Sequence, residues 1–186
     1  EFALGPEQAN LKAGERILIH SAAGGVGIAA IQYAQRVGAE VFATASAPKH
    51  DFLRSLGVKH ISTSRDPVVF KQEMKAMVGE RGVDVVLNSL TSEGYIAATV
   101  EMVAENGRFI EIGKRNIWSE EQMREARPDI YYETHSLNEL LPSEPERLVP
   151  MLKEIAAHVE GGTVTPLPMR IFDMRQDLVG AFRWLQ

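Results

Sequence analysis

Apolar positions in this chain fall into short continuous runs separated by longer stretches with helical spacing. The run 17–20 is followed by a small-residue segment, 21–27, and then by Ile28, Ile31, Ala34 and Val37, each three apart, a helical spacing. That pattern predicts a strand, a tight turn and a helix ended by Gly38. Residues 40–44 predict a second strand, and Pro48 opens a short helix through Phe52, Leu53 and Leu56 before Gly57. A third strand over 58–61, a helix over 67–78 and a fourth strand over 83–87 follow. The last run is apolar except for Asp84, as expected of a strand covered on both faces of a parallel sheet. The alternation continues with a helix over 94–103, a turn at 105–107 and a strand from Arg108 to Ile112. Beyond Gly113 the expected elements are a helix over 119–126, a sixth strand over 130–134 and a helix over 143–159 stopped by Gly161-Gly162. A strand and linker over 166–171 and an amphipathic helix over 173–184, capped by Asp173, complete the chain. Strands alternating with helices imply an α/β fold: a Rossmann-type doubly wound parallel six-stranded sheet with helices on both faces.

Composition narrows the functional classes. The 186 residues, 45% hydrophobic, suffice for one domain with a sizeable core and are cramped for two. Twenty basic against 25 acidic residues give a net charge of -5, which argues against nucleic acid or a membrane surface as partner. The absence of cysteine excludes disulfides and thiolate zinc sites and disfavours the zinc-type alcohol dehydrogenase chemistry, so no metal is expected. No apolar run reaches bilayer length and no secretory signal pattern opens the chain, so the expected location is cytoplasmic. The sequence starts at Glu1-Phe2 without Met, and residues 1–10 read as a linker or cloning-derived segment.

The segment Ala22-Ala23-Gly24-Gly25-Val26-Gly27 has the register A-x-G-x-x-G, directly after an expected strand and before an expected helix. In that setting Gly24 lets the backbone approach a pyrophosphate, Gly27 lets helix and strand pack closely, and the amides of Gly25 and Val26 face the negative charge beside Ala22. The bland alternative is a glycine-rich connection with no ligand. A carboxylate at the end of the second strand would bind the ribose 2′-hydroxyl of NAD, and none is present. Thr44 and Ser46 stand there instead, Lys49 follows, and Arg65 lies just beyond the third strand. Hydroxyls with two cations suit a 2′-phosphate, so the expected cofactor is NADPH. For Lys49 and Arg65 the alternative is an ordinary solvated charge. Asn88 and Ser89 end the fourth strand, where a nicotinamide ring would lie, although Ser89 or Ser92 could equally cap a helix. His20 reads as a packing or capping residue.

Three segments carry a resemblance: Ile19-His20-Ser21-Ala22-Ala23-Gly24-Gly25-Val26-Gly27, Asp84-Val85-Val86-Leu87-Asn88-Ser89-Leu90 and Gly107-Arg108-Phe109-Ile110-Glu111-Ile112-Gly113-Lys114. Together they resemble the enoylreductase domains of modular polyketide synthases, in the medium-chain dehydrogenase/reductase superfamily. The resemblance runs from Leu11 to Trp184 and is weakest over 127–145. It implies NADPH-dependent reduction of an α,β-unsaturated acyl thioester on acyl carrier protein during polyketide or fatty acid chain extension. Complete members also carry a GroES-like substrate domain. The chain therefore resembles the cofactor-binding half: a Rossmann domain over 11–160 and a return segment over 161–186 toward that other domain.

By the same resemblance Leu90, Ile112 and Gly113 join the cofactor pocket, and Lys114 matches the lysine proposed as proton donor. Ser136 occupies the position of an aspartate that the family often pairs with that lysine, and His135 beside it could substitute chemically. The implied partners are the carrier-bound thioester, the other domains of a megasynthase, and a second copy paired through the strand beginning at Arg108. Two alternatives stay open. One is a zinc-free quinone or enone oxidoreductase; the other is a noncatalytic nucleotide-binding scaffold, which the serine at 136 keeps alive.

Overall fold

Period-two alternation along the strands sets the architecture of the computed structural model, which describes residues 2–135 and 145–184. The strands β1 (Arg16–Ile19), β2 (Glu40–Ala45), β3 (His60–Thr63), β4 (Val83–Asn88), β5 (Val103–Glu111) and β6 (Tyr131–Thr134) form one parallel sheet in the order β3-β2-β1-β4-β5-β6. Ile17, Ile19, Val41, Ala43, Val85 and Leu87 point to one face, against Ala30, Ile31 and Ala34 of α1 (Gly25–Val37) and Leu53 of α2 (His50–Ser55). Leu18, Phe42, Val86 and Phe109 point to the other. There they meet Phe70 and Met74 of α3 (Pro67–Val78), Ile96 of α4 (Tyr95–Val100) and Met123 of α5 (Glu120–Ala126). Both faces are covered, which is why the central strands read as apolar runs rather than as alternating ones. The expected doubly wound six-stranded fold is the observed one.

Caps fix several of these elements locally. The Asp66 carboxylate accepts from the amides of Val68 and Val69 while Pro67 takes the first helical position of α3. Ser119 and Gln122 form a reciprocal capping box at the start of α5.

Several expectations need correction. The third strand lies two residues later than its apolar signal, because Val58 is buried in the connection ahead of the strand. The helix expected to run to Val103 stops at Val100, and Val103 opens β5 by pairing with Val83. The turn at Glu105-Asn106-Gly107 is a bulge inside that strand: Val83 pairs with Val103, but Val85 pairs with Arg108. Gly107 is needed there, since a Cβ would lie 2.4 Å from Val103 Cγ1 and 3.0 Å from the Ala104 carbonyl oxygen. Residues 166–171 form no strand; Pro166 and Pro168 lack the amides a ladder needs, and Thr165 is instead bonded to Gln32 of α1 through its N–H (2.7 Å) and its carbonyl (3.1 Å). The final helix is only Leu178–Trp184, with Asp173 capping a preceding turn through the amides of Arg175 and Gln176. Nor is the start of the chain a loose lead-in: Leu4 and Ala9 are in the core, and the Arg108 guanidinium donates to the Ala9 carbonyl at 2.7 Å. The helix expected over 143–159 is described from the short 3-10 turn Pro145–Arg147 into Leu148–Glu160. Finally, β5 is paired on both sides, by β4 and β6, so the strand containing Arg108 offers no free edge to a second copy.

Arg127 holds the bulge in place. Its guanidinium donates to the carbonyl oxygens of Val100, Val103 and Ala104 at 3.2–3.3 Å and chelates the Asp129 carboxylate. A lysine has one compact ammonium and cannot reproduce the fork. Arg127→Lys is therefore expected to cost about 1–2 kcal/mol through the stranded carbonyls, read as a lower urea midpoint at unchanged slope.

Candidate nucleotide-binding site

The strand order reverses between β1 and β4, and in sheets of this kind the crevice beyond the carboxyl ends of the strands at that reversal is where ligands sit. Three strand ends are stapled together there. The Ser89 hydroxyl donates to the His20 carbonyl at 3.2 Å, and the Ile112 amide donates to the Asn88 carbonyl at 2.9 Å.

Between β1 and α1 the chain turns sharply. Ser21 has a positive φ of 52°, uncommon for a residue with a side chain. Gly24 is the N-cap of α1 and makes no side-chain cap, so the amides of the first helical turn have no partner from their own helix or from its cap. Gly24, Gly25 and Val26 are exposed, whereas Ala22 and Gly27 are buried. At Gly27 there is no room at all: a Cβ would lie 2.5 Å from the Cα and carbonyl oxygen of Ala22. The helix is thus pressed against the turn that precedes it, with its open amides at the mouth of the crevice. Such an end attracts an anion.

Beneath the turn lies a directed chain of hydrogen bonds. The Thr99 hydroxyl donates to the Tyr95 carbonyl at 2.7 Å, so it accepts from His20 Nε2 (2.9 Å), which carries the ring proton. His20 Nδ1 then accepts from the Thr44 hydroxyl at 3.0 Å, and that oxygen accepts from the Ser21 amide at 3.2 Å. Complete burial pushes the His20 imidazole down to about 3, so the ring is neutral at ordinary pH. Thr44 is fully buried in this chain and supports the loop from below rather than facing the crevice. Ser46 is half-buried just past β2, and Lys49 and Arg65 are exposed. Asn88 is buried; Ser89, Leu90, Ile112 and Gly113 are partly buried beside it, and Lys114 is exposed just beyond them.

The sequence matches the zinc-binding dehydrogenase family over residues 25–156. The chain is 44% identical over 180 residues to the spectinabilin polyketide synthase system protein NorB of Streptomyces orinoci, covering 95% of this chain and 8% of that protein. Against the crystal structure of CurK enoyl reductase the identity is 43% and the TM-score 0.88, covering 98% of this chain and 55% of that one. The nucleotide-binding subdomain of the enoylreductase domain of PpsC from Mycobacterium tuberculosis is matched at 37% identity and TM-score 0.74, over 85% of this chain and 89% of that one. This chain belongs to the polyketide synthase enoylreductases of that family. It spans a small fraction of the curated synthases it matches and about half of the complete enoyl reductase structure.

The sequence has no cysteine, and among the described residues no group of three His, Cys, Asp or Glu could hold a metal ion. No described helix is long and apolar enough to cross a membrane. Of the candidate proton donors, Ser136 lies outside the described residues. His135 continues the β5–β6 pairing through its amide, 2.7 Å from the Glu111 carbonyl, and its ring is 3.6 Å from the Glu133 carboxylate. One residue that the sequence does not single out belongs to the site's floor. Glu111 is fully buried with its carboxylate bonded to Asn88 and Gly113; a lone acid in a strand carries no signal of this, because its partner is 23 positions away. Burial pushes its carboxyl above the ordinary range, and the donors from Asn88 and Gly113 pull it back only in part.

Proposed function

We propose that this chain binds NADPH in the crevice between the ends of β1 and β4, as the cofactor-binding portion of an enoylreductase acting within a polyketide synthase. The observation that carries this reading is the uncapped, exposed turn Gly24–Val26 at the reversal of the sheet, in a chain that resembles enoylreductases along nearly its whole length. The open amides of Gly25 and Val26 on a helix N-terminus, approached over glycine, fit a pyrophosphate. No acid stands at the end of β2, whereas Ser46 and Lys49 do, and Arg65 follows β3; this favours a 2′-phosphate over a bare 2′-hydroxyl.

The substrate in this reading is an α,β-unsaturated acyl thioester carried on acyl carrier protein. Bound cofactor would supply hydride to the β-carbon and leave oxidised, while the α-carbon gains a proton. Lys114, exposed beyond the end of β5, would supply positive charge to the enolate oxygen or the proton that the α-carbon gains. Asn88, Ser89, Leu90, Ile112 and Gly113 line the nicotinamide end, and Ser46, Lys49 and Arg65 the adenosine end.

Calorimetric titration with NADPH and NADH tests the cofactor assignment. NADPH is expected to bind more tightly, and the double variant Ser46→Ala, Lys49→Ala to lose about tenfold or more toward NADPH with little change toward NADH. Absence of binding to either nucleotide would sink the reading and favour a scaffold role.

A further inference from the structure

Glu111 ends β5 directly across the ladder from Asn88, the last residue of β4, and both side chains are fully buried. One carboxylate oxygen accepts from the Asn88 side-chain amide at 2.5 Å; the other accepts from the Gly113 backbone N–H at 2.6 Å. Asn88 passes the restraint on, its Oδ1 accepting from the Leu90 amide at 3.3 Å and its carbonyl from the Ile112 amide at 2.9 Å. Gly113 permits the close approach: a Cβ there would lie 2.7 Å from Glu111 Oε1 and 2.8 Å from Thr91 Cγ2. The acid is therefore shared by the two loops that leave β4 and β5.

A buried carboxylate is a costly way to close a corner of a sheet. Two N–H groups converge here on two oxygens, and only an ionised acid accepts at both ends; glutamine offers one acceptor and one donor. We infer that Glu111 is a positioning residue for the nicotinamide end of the site, locking the segments 88–90 and 112–114 together so that Lys114 and the loop backbones face the crevice in one geometry. This rests on the NADPH reading above. The adenosine end, at Ser46 and Lys49 beyond β2, shares none of these bonds.

The test is titration of the chain and of Glu111→Gln with two ligands: NADPH, and adenosine 2′,5′-bisphosphate, which has the adenosine end and no nicotinamide. The variant is expected to bind the bisphosphate within about twofold of the unaltered chain and NADPH about tenfold more weakly. Equal weakening toward both ligands would mean a merely structural role, and no weakening toward either would mean no role; both overturn the inference. If Glu111→Gln does not fold by circular dichroism, Glu111→Asp takes its place, since it keeps the charge but is one methylene too short to span both donors, and the same split is expected. An unaltered chain that binds neither ligand overturns the NADPH reading and this inference with it. An unaltered chain that binds both, with no split in the variant, overturns this inference alone.

Discussion

Alanine at position 27 is expected to destabilise the protein by about 3 kcal/mol, lowering the melting temperature by roughly 6–12 °C. The added methyl would sit 2.5–2.6 Å from three backbone atoms of Ala22, and backbone cannot swing aside as the end of a side chain can. Intrinsic propensity works the other way, because alanine inside a helix is better than glycine by about 1 kcal/mol. A net loss therefore measures the clash and not the helix. Thermal melts followed by circular dichroism decide it; a Gly27→Ala variant melting with the unaltered chain would show that α1 can move off the turn freely. The same displacement would spread the open amides of the first turn, so nucleotide affinity should fall with stability.

Mild acid is expected to weaken the fold through His20. An imidazole held neutral, with its folded value near 3 against 6.5 unfolded, binds fewer protons folded than unfolded between those limits. Its contribution is complete above the unfolded value and is lost as pH falls toward the folded one. Between pH 7 and pH 5 that amounts to about 2 kcal/mol. Buried Glu111 runs against it, because a carboxyl raised by burial takes up its proton earlier in the folded state. Comparing the unaltered chain with His20→Gln isolates the histidine: urea unfolding at the two pH values should show the unaltered chain losing about 2 kcal/mol more than the variant. Parallel pH dependence in the two proteins would mean that the ring is not desolvated as its burial implies.

Much of this molecule is legible in its residues, for identifiable reasons. The strand-turn-helix at 16–37 announces itself because Ile17, Ile19, Ile31 and Ala34 serve one packed face and the glycines between them have no other use. Pro67 after Asp66 marks the start of α3 to the residue, since that cap depends only on neighbours in sequence. What depends on distant neighbours is harder to read. Val58 is apolar because it plugs the core ahead of β3, and so it imitates a strand residue. Val100, Met102 and Val103 are all buried, and periodicity alone cannot show that the helix ends and the strand begins among them. The site divides in the same way. The loop glycines follow from local spacing, but Thr44 proves to be a support beneath the loop and Glu111 a clasp, because each is defined by a hydrogen bond to a residue on another strand.

The order of the strands also governs how the chain can assemble as it is synthesised. Ile17 pairs with Val41 on one side and with Val85 on the other, so β1 finds its first neighbour early and its second only after α3 has been made. Until β4 arrives, the three-stranded half β3-β2-β1 carries an unpaired edge along its most apolar strand. That edge is an adhesive surface for another nascent chain. A slow stretch of translation placed between the segments encoding β3 and β4 should thus raise aggregation, whereas one placed after β4 should not.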